Sequence, residues 1–325
     1  MSIGNMKIMP QATSRRSFIV SASAFACLGR LSLFASGKRD LSHPDLKFGA
    51  ISDIHIRSAA DVKTVLDVLR WYRDNKVDAV VVAGDVADYG LTWQMDVFAG
   101  AWEEIFPAGR IAKTGQKVEL ILVTGNHEYD IWKRVKHVYP DEKELEDRVF
   151  IKHIEREWKR IFREDYAPAF VKTVKGYPFF CVNFLGWEPD VHLKAMQELY
   201  AREADRIPKD RPFFHVQHCH PKGTCGFNPG SPDALTAHLS QYPNLVCFSG
   251  HSHYSLEDDK SFWHGAFTSV NTATLQHVWG VGKEQKIRNF PQGLLVRVWP
   301  DFVHFERRNF RDGCRFDSAW EAKVC

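Results

Sequence analysis

Apolar residues fall into two rhythms along this chain. From Leu46, short apolar runs alternate with stretches in which apolar residues recur every three or four positions. LKFGAISD (Leu46–Asp53) predicts a buried strand ending at Asp53, and DVKTVLDVLRWYRDN predicts a helix with Val62, Val65, Leu66 and Leu69 on one face. VDAVVVAGD predicts a second strand ending at Asp85, TWQMDVFAGAWEEIF a second helix, and VELILVTGN a third strand. Near-continuous apolar strands separated by helices imply an α/β fold whose sheet is covered on both faces.

The alternation then breaks. Residues 131–166 are rich in charge and Trp, and DEKELEDRVFIKHIEREWKRIF predicts one long amphipathic helix within an insertion. The chain returns to strand at YPFFCVNFLGW, followed by a helix from Asp190 to Arg206 and strands at PFFHVQ and NLVCFSG. GLLVRVWPDFVHFERRNF predicts a hairpin turning at Pro300 and Asp301. One domain over 46–310, with a helical insertion at about 131–166 and a C-terminal tail at 311–325, accounts for the pattern.

The strand ends carry chemistry. The apolar run before LVTGNHEYD stops in an amide, an imidazole and carboxylates at Asn126, His127, Glu128 and Asp130. Other strand ends give Asp53 and His55, Asp85, His218 or His220, and the pair His251 and His253. Each motif alone is ordinary turn chemistry. Turn chemistry gives no reason for all of them to coincide with strand ends, whereas ligands of open α/β sheets bind outside the carboxyl ends of the strands. Imidazole mixed with carboxylate suits manganese, zinc, iron or cobalt better than calcium or magnesium.

The first residues follow a different plan. TSRRSFIV pairs Arg15 with Arg16 ahead of an apolar run, Phe18 to Leu28, too short to span a bilayer. This resembles a bacterial twin-arginine export signal over 1–35, which implies passage through the twin-arginine machinery to the periplasm or exterior. Cleavage fits after Ala26 or after Ala35. A lipid anchor on Cys27 ranks second, because Ala24 is a poor match to the usual large aliphatic residue. Residues 1–35 carry Lys7, Arg15, Arg16 and Arg30 and no acid, so a mature chain holds 39 basic against 40 acidic residues, a net charge near −1. That balance says nothing about nucleic acid; with no long Lys/Arg stripe interleaved with aromatics no nucleic-acid partner is expected, and no transmembrane span is expected in the mature chain. The seven cysteines include no CxxC pair, which argues against a thiolate zinc site; Cys219 with Cys225 and Cys314 with Cys325 are close in sequence, without establishing pairing.

From about Phe48 to His253 the motifs DIH, GD, GNHE, HVQHCHP and GHSH together resemble the calcineurin-like metallophosphoesterase superfamily. The resemblance implies a four-layer αββα β-sandwich flanked by helices, with two divalent or trivalent transition-metal ions at the strand ends. It implies that Asp53, His55, Asp85 and His253 hold one ion, and Asp85, Asn126, a middle histidine and His251 the other. Strand phasing favours His218 as that histidine, although the family commonly writes His-x-Pro, and here the spacing to Pro221 falls on Cys219. His127 is implied to stand beside the substrate as proton donor or phosphoryl support, oriented by Asp53 or Glu128, with Gly125 letting the backbone turn sharply. Purple acid phosphatases place a tyrosine where Asp88 stands and lack the histidine of DIH, so that type is rejected. The expected activity is hydrolysis of a small phosphate ester by a metal-bound hydroxide. A cyclic-nucleotide or glycerophosphodiester phosphodiesterase, or a non-catalytic metal- or phospho-ligand-binding protein, are the alternatives. The rim is expected from 131–166, from the Lys222–Asp233 loop and from TLQHVWGVG (Thr274–Gly282). The basic run WKRVKH is expected to be a solvated face of the insertion.

Overall fold

The runs of apolar residues build two sheets. The computed structural model describes residues 40–226, 231–279 and 286–324; the twin-arginine segment with Cys27, part of the Lys222–Asp233 and Thr274–Gly282 stretches, and Cys325 lie outside them. In the first sheet, β1 (Leu46–Ile51), β2 (Ala79–Ala83) and β3 (Glu119–Val123) run parallel, and β12 (Gln292–Trp299), β13 (Phe302–Asn309) and β14 (Trp320–Lys323) extend it in the order β14-β13-β12-β1-β2-β3. The second sheet comprises β4 (Ala169–Val174), β5 (Tyr177–Val182), β6 (Phe213–Val216), β7 (Leu245–Ser249), β8 (Phe262–His264) and β9 (Thr268–Asn271), in the order β4-β5-β6-β7-β9-β8. A further pair, β10 (His277–Trp279) and β11 (Lys286–Arg288), stands apart.

The central strands of both sheets are buried on both faces, which is why they read as continuous apolar runs. Along β2, Val81 points into the space between the sheets while Val80 and Val82 point outward, following the two-residue period of a strand. Between the sheets Phe48 meets Phe179, Phe214 and Phe248 edge-on, at ring-centre distances of 5.3, 5.1 and 5.4 Å. Outside the first sheet lie α1 (Val62–Asp74), α2 (Thr92–Ile105) and α5 (Ile154–Phe162); outside the second lie α6 (Pro189–Arg202) and α7 (Asp233–Leu239). The result is the four-layer αββα architecture. Among the described residues no helix is long and apolar enough to cross a membrane.

Three expectations need correction. The long helix of the insertion is broken into α4 (Glu142–Arg148), a short 3-10 turn and α5, because Val149 is extended and fully buried, bridging Leu91, and the Phe150 N–H donates to the Gly90 carbonyl at 2.9 Å. Burying two apolar side chains there outweighs continuing a helix that would expose them. The stripe of α1 is rotated toward Val65, Val68, Leu69 and Tyr72, since the Tyr72 ring lies over Gly49, where a Cβ would collide with it, and its hydroxyl donates to the Leu294 carbonyl at 3.0 Å. The segment expected as a tail contributes β14, whose Trp320 stacks on Phe262 at 5.3 Å.

Candidate metal centre

Parallel strands put their carboxyl ends on one edge, and the loops leaving that edge are zipped together. The Asp53 N–H donates to the Gly84 carbonyl and the His55 N–H to the Asp85 carbonyl, both at 3.0 Å, so the first two loops stay paired after their strands end. Glu128, in the single turn α3 (Asn126–Tyr129), ties the third loop to the second: its carboxylate accepts from Asp85 N (3.1 Å), Ala87 N (2.7 Å) and Gly125 N (2.6 Å). Burial and the nearby Asp85 carboxylate push Glu128 up to about 7, against the pull of those backbone donors. Gly125 has an extended backbone, φ −113°, so its expected conformational role is corrected to one of space: a Cβ there would strike the Asp85 carboxylate and lie 2.5 Å from the Asp85 nitrogen.

The backbone at the site is strained. Asp53, His55, Asp85, His251 and His253 all have left-handed φ, between 49° and 67°. Such conformations cost side chains of this kind roughly 1–3 kcal/mol each and persist where the surrounding structure over-determines them. Here they turn adjacent side chains toward one point instead of to opposite faces.

Two groups of donors result. In the first, His253 Nε2 lies 2.9 Å and His55 Nε2 3.8 Å from Asp53 Oδ1, and the two imidazole nitrogens are 3.1 Å apart. In the second, His218 Nε2 lies 3.1 Å from Asp85 Oδ2 and 3.0 Å from Asn126 Oδ1, which is 2.9 Å from His251 Nδ1. Asp85 Oδ2 is also 3.9 Å from His55 Nε2, so this carboxylate stands between the groups. The far nitrogens fix the tautomers: His218 Nδ1 faces the Ala83 carbonyl at 2.8 Å, His253 Nδ1 the His277 carbonyl at 3.2 Å, and His55 Nδ1 the Asp88 carboxylate at 2.9 Å. A proton on each of these Nδ1 atoms would leave each Nε2 lone pair to coordinate a cation.

Converging acceptors require positive charge. Without an ion, protons must supply it. Burial alone would lower both imidazoles, yet Asp53, Asp88 and Asp85 carry His55 up to about 10, and Asp85, with Asp53 and the Ala83 carbonyl, carries His218 up to about 9. Burial likewise opposes charge on Asp53, which His253, His55 and His218 nevertheless hold well below the usual carboxylate range. Buried imidazole, carboxylate and amide oxygen converging on one point fit transition-metal ions.

His127 differs from the donors. Its side chain is 23% exposed, against 3% for His55 and none for His218, so it faces outward over the group. Its backbone N–H donates to Asp85 Oδ1 at 2.9 Å. Its ring Nδ1 faces the Asp88 carbonyl at 2.8 Å, leaving Nε2 on the side of Asp85, at 4.0 Å from Oδ2. Neither Asp53 nor Glu128 orients it, as had been expected; Asp88 does, through its backbone. Burial pulls His127 below the usual imidazole range, keeping the resting ring neutral.

The structure brings Asp53, His55, Asp85, Asn126, His127, His218, His251 and His253 together. His220 is buried but belongs to none of the clusters of His, Cys, Asp and Glu among the described residues. Asp88 was missed: one oxygen meets His55 and the other Arg57 Nε at 2.8 Å, so a residue noted only as replacing a tyrosine anchors a donor imidazole. Its signal was its place three residues after Asp85. The rim was also incomplete, because the loop after β5 brings Trp187 within 5.9 Å of His251, ring to ring. Cys181, Cys219, Cys225, Cys247 and Cys314 are free thiols.

Known proteins share this arrangement at the level of fold. The family model for calcineurin-like phosphoesterases matches residues 46–255. A dimetal phosphatase from Danio rerio is similar at 12% identity and a TM-score of 0.51, over 87% of this chain and 100% of that one. A purple acid phosphatase from yellow lupin, Lupinus luteus, is similar at 12% identity and a TM-score of 0.52, over 86% of this chain and 55% of that one. GAP50, described as the anchor in the inner membrane complex of Plasmodium, gives 10% identity and a TM-score of 0.52, over 86% and 89%. No curated protein sequence matches. The solved structures establish the fold, and the family model, spanning more than half of the chain, establishes the lineage: this chain belongs to the calcineurin-like phosphoesterases, metal-dependent hydrolases of phosphoric esters.

Proposed function

We propose that this chain is an exported phosphoesterase that holds two ions of manganese, zinc, iron or cobalt and hydrolyses a small phosphate ester. The observation that carries the reading is Asp85, a buried carboxylate placed between two donor groups, with His218 on one side and His55 on the other. Asp53, His55, Asp85 and His253 would hold one ion, and Asp85, Asn126, His218 and His251 the other. Bound there, a metal pair supplies Lewis acidity and a nucleophile at neutral pH.

The chain's own residues do the rest. Asp88 fixes His55 through its carboxylate and His127 through its carbonyl, so one residue positions both a donor and the proton-transfer group. With Nδ1–H given to that carbonyl, a protonated His127 donates from Nε2 to the departing oxygen. The negative charge of a bound phosphoryl group favours that protonation, overcoming the burial that keeps the free ring neutral. Support for export is the Arg15–Arg16 pair with the apolar run behind it.

The reading is tested by loading the protein with each metal and measuring hydrolysis of 4-nitrophenyl phosphate, bis(4-nitrophenyl) phosphate and glycerol 3-phosphate. Metal-dependent turnover of a monoester is expected. Turnover of the diester alone would assign the chain to the phosphodiesterases, and binding without turnover of any would leave a phospho-ligand-binding protein.

A further inference from the structure

Beside His251 the rim holds an aromatic side chain whose setting is not explained by packing. Trp187 lies in the loop between β5 and α6 and is 48% exposed, and among the described residues Val138 and Val191 are the only other exposed large apolar side chains. Exposure usually goes with mobility, yet this ring is held. Its indole N–H donates to Asp130 Oδ2 at 2.8 Å, and Phe184 meets it in a T-shaped contact at 5.0 Å. Gly186 fits the loop against Tyr129, where a Cβ would stand 3.3 Å from the ring. Asp130 directly follows α3, so Trp187 is tied to the loop that carries Asn126 and His127.

The indole thus has its one polar group satisfied and keeps an open apolar face at the edge of the donor cluster. The cavity it helps to line, with His192, His218 and Leu235, is about 30 Å³, room for a water and not for a ring. A planar group can therefore meet Trp187 only on its exposed face. Trp279, next to His277, offers no equivalent, because Lys286 lies over its ring at 5.4 Å.

We propose that Trp187 selects the substrate: its face stacks on a planar aromatic group carried by the phosphate ester, the nucleobase of a nucleotide or the ring of an aryl phosphate. The proposal rests on the reading of the donor cluster as the phosphoryl site. The ring contact with His251, whose Nδ1 faces Asn126, sets the indole within reach of a group esterified to a phosphate held there. Trp187 is a binding residue in this account, so its removal acts on KM more than on kcat.

The test uses the metal-loaded full chain, Trp187→Ala and Trp187→Phe, with adenosine 5′-monophosphate, 4-nitrophenyl phosphate and glycerol 3-phosphate. Base–aromatic stacking predicts that Trp187→Ala lowers the preference in kcat/KM for a planar over the aliphatic substrate by on the order of 5- to 100-fold, through KM. Trp187→Phe, which keeps a stacking face, should restore most of it. A loss confined to one planar substrate assigns the group to that source. A preference that Trp187→Ala leaves unchanged overturns the proposal. If the wild-type chain hydrolyses none of the three, the monoesterase reading fails separately. The platform is then judged by calorimetric binding of adenosine 5′-monophosphate: weakening in Trp187→Ala with recovery in Trp187→Phe supports it, and equal or absent binding in all three overturns it.

Discussion

His55 and His253 meet nitrogen to nitrogen, Nε2 to Nε2, at 3.1 Å. With His55 Nδ1 facing a carboxylate and His253 Nδ1 a carbonyl, both meeting nitrogens are placed to turn lone pairs to a bound cation. A cation held between them and the Asp53 carboxylate beside them would draw on all three donors at once. The left-handed backbone at both residues holds them in that relationship, so the cost of assembling a cation site is met by the fold before the cation arrives.

Replacing Asp85 by Asn should weaken both ions at once, because one carboxylate serves both donor groups. Elemental analysis of the purified variant is expected to show loss approaching two metals per chain. Retention of both would remove Asp85 from its place between them.

Asp88→Asn should act on one ion more than the other. The substitution keeps the backbone carbonyl that holds His127 and removes the carboxylate charge facing His55 Nδ1. Losing such a partner typically costs about 10- to 100-fold in metal affinity. Chelator competition should therefore show one weakened and one nearly unchanged ion, and equal weakening of both would contradict the assignment.

His127→Ala should leave metal content intact and slow turnover by about 10²- to 10⁴-fold, the usual contribution of a positioned proton donor. Poor alkoxide leaving groups should suffer most and activated aryl esters least. Equal slowing of both classes would make His127 an electrostatic support of the phosphoryl group instead.

Lys in place of Arg15 and Arg16 should hold the protein in the cytoplasm of a bacterial host. Fractionation with unchanged periplasmic delivery would rule out the twin-arginine route.

Much of this was legible in the sequence for a physical reason. Strands buried on both faces read as apolar runs, and Asp53, Asp85, Asn126, His251 and His253 stand where those runs stop. Contacts made only through the fold were not legible. Val149 breaks the inserted helix because of Leu91, far away in the chain, and β14 looks like a tail until β13 is there to pair with it. Asp88 shows its role only once His55, Arg57 and His127 are gathered around it. Trp187 follows a strand that supplies no residue to the donor clusters, so nothing in its motif marked it as part of the rim.

The most direct test of the central claim is turnover against metal stoichiometry. Metal-free protein receives manganese or zinc in measured equivalents, and hydrolysis of the best substrate from the panel is followed at each addition. The account predicts that activity rises to a plateau at two equivalents per chain. Full activity at one equivalent, or activity indifferent to added metal, would contradict it.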